Sequence, residues 1–242
     1  MSDIIKEPSL NLAEVERHIR TLLESKLSPN HFFHHVNHTM VMKETAVDLA
    51  KKEGVGEEDV EVLTLAALFH DTGFINTYDG HEKQSQQIAT EYLRRYNYPE
   101  IKINRVNKLI AVTQMGVQPS NLLEEIICDA DMAHIGRKKY RSTVDRLRKE
   151  REVFLDYTYT DLEWEKSNHQ FLKEHTFYTK SAKKEFGKRK KKNIAKTRKR
   201  VQKRKVKKLD KTVTIADDKA AQVMFKTALR NHIDLTNIAD QK

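Results

Sequence analysis

The stretch Leu65-Ala66-Ala67-Leu68-Phe69-His70-Asp71-Thr72-Gly73 decides the fold, because a buried-type apolar run ends abruptly in two side chains that bind metals well. His38 lies 32 residues before His70, and Asp131 lies 60 residues after Asp71. These donors lie within or at the ends of three segments with helical periodicity. We therefore expect one metal site, assembled when the helices pack together.

The composition favours helices. The chain has 242 residues, 38% of them hydrophobic, which is enough for one good core or for a core with an appendage. It contains only 7 Gly and 4 Pro, and no segment alternates polar and apolar residues as a half-buried strand does. The expected fold class is all-α.

The cellular location is inferred from what the sequence lacks. Cys128 is the single cysteine, so no internal disulfide can form and a reducing, cytoplasmic location is expected. No signal peptide follows Met1, and no run of about 18 apolar residues occurs. If the native chain continues past Lys242, we expect association with a membrane.

Periodicity and capping residues place the expected helices. They begin near Leu10, after Pro29 and at Glu57, Glu82, Pro99 and Leu122, with further helical patterns over about 138–153 and 161–177. The second helix is expected over roughly 31–53, and 72–80 is expected to be a loop. These helices form one domain, residues 1–179.

Charge is distributed unevenly. Residues 180–208 hold 17 Lys/Arg and one acid, Glu185, whereas the remaining residues hold 28 basic and 34 acidic side chains. We therefore expect a mildly acidic domain, a basic linker over 180–212 that cannot form a core, and an amphipathic C-terminal helix over 213–242. The apolar positions of that helix are Val223, Met224, Phe225, Leu229, Ile233, Leu235 and Ile238.

Three roles remain open for the basic stretch 188–208. It could bind nucleic acid through phosphates, lie on an anionic membrane surface, or be a solvated linker. No aromatic residue occurs between Lys188 and Lys208, so base stacking on single strands is not expected to be its main task. The apolar stripe of the C-terminal helix is expected to form a homo-oligomer or to dock on the core.

The donor set predicts the kind of metal chemistry. Imidazole and carboxylate donors without thiolates suit a divalent Mn, Fe, Ni, Zn or Mg better than a structural zinc cage. Hydrolysis requires such a set with open positions. His34 shares a face with His38 if both lie on one helix, and either Asp129 or Asp131 could complete the set.

Four motifs carry a resemblance to a known family. Phe33–Thr39, Leu68–Gly73, His81–Ser85 and Asp129–Met132 resemble, in order and spacing, the motifs of the HD superfamily of metal-dependent phosphohydrolases, over residues 30–136. The resemblance implies an HD-domain helical bundle. It also implies one metal by default, with Asp71 able to bridge a second, and Asp129 as a supporting or capping residue. The implied ligands are His38, His70, Asp71 and Asp131.

The resemblance also implies roles in proton transfer. His34 matches the histidine that protonates the leaving oxygen in the cyclic-nucleotide phosphodiesterase branch, although that branch has Tyr-His-Asn where this chain has Phe33-His34-His35. Glu82 either acts as general acid or base, or is a favourable acid in a first helical turn. The expected catalytic residues are thus His34, Glu82 and Asp71. Asp71 is also an expected metal ligand.

The expected activity and its alternative concern how the protein handles a substrate phosphate. Arg137 and Lys138 lie six and seven residues after the last ligand, Asp131, and are expected either to contact the substrate phosphate or to form a solvated face. The expected activity is hydrolysis of a phosphoester of a nucleotide or cyclic nucleotide by metal-activated water. The alternative is a nucleotide-binding sensor with little turnover, which signals through the C-terminal helix. Residues 221–242 resemble the helix that leads into the membrane-spanning pair of Pycsar-type effectors.

Overall fold

The computed structural model describes residues 10–239, and for residues 209–217, 225 and 228–239 it describes the backbone only. Nine α-helices and two short 3₁₀ helices, Thr72–Ile75 and Met132–Gly136, form this part of the chain, which contains no strand. The expected all-α class is confirmed. The α-helices are α1 Leu12–Lys26, α2 Val36–Lys52, α3 Glu57–Phe69, α4 His81–Arg95, α5 Glu100–Ala111, α6 Leu122–Asp131, α7 Tyr140–Phe154, α8 Asp161–Glu174 and α9 Lys180–Ala239.

Helix α3 is the centre of the bundle. Its residues 62–69 are all buried, because the sequence is apolar on every face and α1, α2, α5 and α6 pack around it. His70 caps the helix and Asp71 follows it, so both polar side chains emerge where the buried helix ends. The expected loop 72–80 begins with a 3₁₀ turn, Thr72–Ile75.

Helix α2 begins later than its sequence pattern predicts. Residues 31–35 form turns, and α2 starts at Val36 because His35 caps it, with Nδ1 accepting from the backbone N–H of Asn37 at 3.2 Å. The expectation that His34 and His38 share one helix is therefore wrong. His34 precedes the helix, and its position is fixed by other contacts.

The basic segment is not a separate linker. It is the first half of α9, and its side chains Ala182, Phe186, Asn193, Thr197 and Val201 are buried. This stripe packs on α8 and on the 3₁₀ helix Met132–Gly136. The expectation that this stretch cannot contribute to a core is therefore wrong. The apolar pattern did not show the buried face, because two of its five buried side chains, Asn193 and Thr197, are polar.

The end of α6 holds the start of α9. Asp129 is fully buried and accepts hydrogen bonds from the backbone N–H groups of Tyr178 and Thr179, both at 2.8 Å, and from the Thr179 hydroxyl at 2.7 Å. On α9 itself, Asn193 Nδ2 donates to the carbonyls of Ile135 at 2.8 Å and Arg137 at 3.1 Å. Asp129 thus anchors Tyr178 and Thr179, the two residues that precede α9.

The C-terminal part of α9 remains largely a prediction. Its backbone is helical to Ala239, and the described side chains Val223 and Met224 are exposed. The other five residues of the expected apolar stripe have undescribed side chains, and 240–242 lie outside the described residues. None of the described helices combines the length and hydrophobicity that crossing a lipid bilayer requires.

Candidate metal centre and cavity

Four predicted ligands come together where three helices meet. Asp71 Oδ2 lies 3.1 Å from His70 Nε2 and 3.4 Å from His38 Nε2, and Asp131 Oδ1 lies 3.2 Å from the same His38 nitrogen. Ligand atoms of His38, His70 and Asp71 all lie within 4.8 Å of one another. Asp131 approaches this group from the side of His38. The folding of α2, α3 and α6 therefore assembles the predicted donor set.

The donor atoms fit a divalent cation. His38 Nε2, His70 Nε2 and Asp71 Oδ2 are buried and have no hydrogen-bond partner among the described residues. Buried polar atoms without partners are costly, and a shared metal ion would satisfy all three. His70 Nδ1 lies 2.9 Å from the carbonyl oxygen of Ala67, and donation to that oxygen leaves Nε2 as the metal-binding nitrogen.

The pKa values of His70 and Asp71 are shifted by their mutual contact. Burial lowers the pKa of His70, but the adjacent Asp71 carboxylate outweighs burial and raises that pKa to about 9. Burial raises the pKa of Asp71, but His70 outweighs it and holds that pKa far below its usual range. A bound metal ion would take the place of the imidazolium proton.

His34 is held beside the centre by Glu150 of α7, a residue that the sequence analysis missed. The Glu150 carboxylate is fully buried and bonds His34 Nδ1 with Oε1. Its Oε2 accepts from the backbone N–H groups of Phe33 at 2.8 Å and His34 at 3.0 Å. The His34 ring also stacks on Phe74, with ring centroids 4.4 Å apart.

The Glu150 contact determines the protonation of His34. Burial lowers the pKa of His34, but the hydrogen bond to Glu150 and the nearby Asp71 outweigh it, so the pKa lies above its ordinary value. The pKa of Glu150 lies below its ordinary value, because the hydrogen bonds from His34 and the backbone outweigh burial. Both pKa shifts therefore favour an imidazolium beside a carboxylate, formed by residues 116 apart in sequence.

Glu82 reaches the centre through its neighbour His81. His81 Nε2 lies 3.7 Å from Asp71 Oδ1 and 3.6 Å from Glu82 Oε1. Gly73 permits this approach, because a Cβ there would lie 1.9 Å from the carbonyl oxygen of His81. The structure thus brings Glu82 to the edge of the site.

A cavity of about 480 Å³ opens over the centre. Its lining includes His34, Glu82 and Asp131 and several residues of α7 and α8. Arg151 is the one Lys or Arg among the described residues of the lining. The aromatic side chains of the lining are Phe33, Phe74, Tyr78, Tyr140, Trp164 and Phe171.

Arg137 and Lys138 are not in this cavity. Arg137 donates to the hydroxyl of Thr45 at 2.6 Å, and its guanidinium lies 5.9 Å from the ring centre of Phe186. Lys138 is exposed to solvent. The structure thus places neither side chain in the cavity lining, and the exposed Lys138 fits the alternative of a solvated face, whereas Arg151 lies in the lining.

His134 is a further cavity residue that the sequence did not single out. Its Nδ1 lies 3.1 Å from the carbonyl oxygen of Asp131. Burial lowers the pKa of His134 to about 4, so this imidazole is neutral. A neutral ring contributes no charge beside the ligands.

Comparison with known proteins agrees with this geometry. A family model described as the HD domain matches residues 36–135, whereas no curated protein matches the sequence. The crystal structure of a predicted HD superfamily hydrolase from an uncultured Thermotogales bacterium is 18% identical, covers 84% of this chain and 96% of that chain, and has a TM-score of 0.52. At that identity, the likeness shows a shared fold. The match to the HD-domain model spans residues 36–135, and His38, His70, Asp71 and Asp131 all lie within it.

Proposed function

We propose that the protein is a metal-dependent phosphohydrolase that cleaves a phosphoester of a nucleotide or cyclic nucleotide. The observation that carries the proposal is the group of three buried donor atoms without hydrogen-bond partners among the described residues, His38 Nε2, His70 Nε2 and Asp71 Oδ2, next to Asp131, which lines the cavity. Sites of two imidazoles and two carboxylates suit hydrolytic metals with open coordination positions. The HD domain supports the same class.

The four ligands account for the electrophilic part of the reaction. A divalent metal held by His38, His70, Asp71 and Asp131 would bind phosphate oxygens and lower the pKa of the attacking water. Asp71 and Asp131 supply two negative charges to balance such a cation. The remaining tasks, proton transfer and substrate positioning, fall to side chains around the ligands.

His34 is suited to protonate the leaving oxygen. Glu150 binds its Nδ1, so Nε2 is the nitrogen left to serve the substrate. Glu82, next to His81, is the second candidate for proton transfer. His34 is held by a buried carboxylate, whereas Glu82 contacts the centre only through His81, so we assign the acid role to His34.

The cavity supports a nucleotide as the substrate class. Its volume of about 480 Å³ lies within the range of small-molecule sites. Aromatic rings on the walls, such as those of the half-buried Tyr78 and Phe171, offer faces on which a planar base can pack. Arg151 supplies a cation for phosphate oxygens.

A nucleotide-binding sensor is the second candidate, and one contact favours it. The predicted ligand Asp131 lies two residues after Asp129, which binds Thr179, the residue directly before α9. A shift of Asp131 on ligand binding would therefore be transmitted directly to the 60-residue helix. Such coupling is what a regulatory module requires.

Turnover distinguishes the two candidates. The full chain is loaded in turn with Mn, Fe, Ni, Zn and Mg and incubated with nucleoside monophosphates, cyclic nucleotides and generic phosphoesters. The phosphohydrolase predicts release of product from at least one nucleotide, loss of activity with a chelator, and recovery when metal is restored. Tight nucleotide binding without product under every metal would contradict it and support the sensor.

A further inference from the structure

Helix α9 carries a row of cations behind the wall of the cavity. Six exposed side chains define this cationic ridge: Lys188, Lys191, Lys196, Arg198, Lys199 and Lys203. They span 16 residues, and the 15 steps from the first to the last cover about 22 Å along a helix. None of the six forms an ion pair within the part of the chain that the structure describes. The ridge therefore presents uncompensated positive charge to a partner.

Acidic residues in the same part of the helix do not neutralise this charge. Glu185 is the single acid between residues 180 and 208, and its carboxylate binds Lys52 at 2.6 Å. The ridge also lies apart from the cavity. Helix α8 lines the cavity with Trp164 and Phe171 and packs against α9, where His169 Nδ1 lies 3.1 Å from the Thr197 hydroxyl. A partner on the ridge is thus not the substrate.

The opposite face of this part of α9 is already occupied. Phe186, Asn193, Thr197 and Val201 are buried against the domain. Helices that lie in a lipid interface insert an apolar face between the headgroups. The ridge segment has no such face left, so its chemistry favours a partner that it can bind through charge alone.

The positions of the cations around the helix favour a groove over a flat surface. At about 100° per residue, Lys196 and Lys203 lie on one flank, Lys191 and Arg198 lie on the other, and Lys188 lies between them. A flat surface can contact only the cations in the middle of this face. Phosphates on both walls of a groove can reach both flanks, and the major groove of B-form DNA admits an α-helix whereas that of A-form RNA is deep and narrow.

We propose that the cationic ridge binds double-stranded DNA through its phosphates, without reading the base sequence. Absence of aromatic side chains over residues 188–208 agrees with contacts to backbone phosphates alone. Binding of this kind releases counterions, so it weakens steeply as salt rises. The proposal concerns a second surface and is independent of the reaction in the cavity.

The test is fluorescence anisotropy of a labelled random-sequence DNA duplex with the full chain, at salt concentrations from about 50 to 200 mM. The ridge variant replaces four exposed lysines, Lys188, Lys191, Lys196 and Lys199, with glutamine. We expect its affinity at the lowest salt to fall more than about tenfold, and the slope of log K against log salt to shrink by roughly 3 to 4. Circular dichroism should show unchanged helicity, because all four side chains are exposed.

A control variant removes the same charge elsewhere, at the exposed lysines Lys26, Lys51, Lys108 and Lys149. It should retain most of the affinity and of the salt slope. The proposal is overturned if the parent chain does not bind the duplex at low salt, or if both variants lose binding equally. Equal affinity for an RNA duplex, or binding only to phosphatidylserine vesicles, would also overturn it.

Discussion

Glu150 and His34 form a buried pair that joins α7 to the turn preceding α2, across 116 residues of sequence. The carboxylate binds the imidazole with one oxygen and the backbone of that turn with the other. The pair thereby fixes both where His34 lies and which ring nitrogen is left for the substrate. Glu150 is a positioning residue that acts through His34.

Replacing Glu150 with glutamine should impair proton donation by His34. We expect kcat to fall about 100-fold on nucleoside esters, whose leaving oxygen needs a proton, with little change in KM. On p-nitrophenyl phosphoesters the loss should be much smaller, because that leaving group departs without protonation. Steady-state kinetics on both substrates measures this difference, with the exposed Glu44→Gln variant as control. Equal losses on both substrates would indicate a merely structural role.

The same pair predicts how stability depends on pH. The pKa of Glu150 is lowered from 4.5, so its contribution is present above that pH and is lost as pH falls through the folded-state pKa. The pKa of His34 is raised from 6.5, so its contribution is present below that pH and is lost as pH rises through the folded-state pKa. Their joint window runs from pH 4.5 to 6.5.

The measurement is chemical denaturation of the parent and the Glu150→Gln variant across this range. The difference in unfolding free energy between the two should be largest inside the window and should shrink on both sides. A difference that stays constant with pH would show that Glu150 contributes packing and not charge. The Glu44→Gln variant should follow the parent throughout.

Arg151 should bind the substrate phosphate, because no other Lys or Arg occurs among the described residues that line the cavity. The change Arg151→Ala should raise KM about tenfold or more, the cost of losing one charge-assisted hydrogen bond to phosphate. The change Lys138→Ala should leave KM unaltered, since Lys138 is exposed outside the cavity. If Lys138→Ala raised KM and Arg151→Ala left KM unchanged, the sequence-based expectation that Lys138 contacts the substrate phosphate would hold instead.

Gly73 should tolerate no side chain. In Gly73→Ala the new Cβ would overlap the backbone of His81, so the 3₁₀ helix and α4 would have to separate. We expect a loss of about 2 kcal/mol or more in unfolding free energy, seen as a lower melting temperature. Gly187→Ala is the matched control: its Cβ meets nothing within 4 Å in α9 and should stabilise by about 0.5–1 kcal/mol. A Gly73→Ala variant as stable as the parent would contradict the close approach.

Local signals in the sequence predicted the metal centre but not its surroundings. His70 and Asp71 end an apolar run that can only be a buried helix, and His38 and Asp131 stand beside similar runs. Glu150 has no such signal, because a carboxylate on an exposed-looking helix becomes buried only when α7 packs against residues 33–34. Long-range packing determines that contact.

The start of α2 and the packing of α9 also depend on tertiary contacts. His35 caps α2, a role that its sequence context did not reveal. On α9, Asn193 and Thr197 are buried polar residues with hydrogen-bond partners, so an apolar pattern could not indicate that this basic helix covers the core. In both places a polar side chain forms a hydrogen bond with a backbone group.

The metal content of the purified chain tests the central claim most directly. After exposure to Mn, Fe, Ni, Zn or Mg and dialysis, elemental analysis should find about one ion per chain for at least one of these metals. The Asp71→Ala variant should lose both the ion and the hydrolysis, whereas Asp48→Ala, at an exposed position on α2, should keep both. A parent chain that retains no ion, or an Asp71→Ala variant that retains it, would contradict the account.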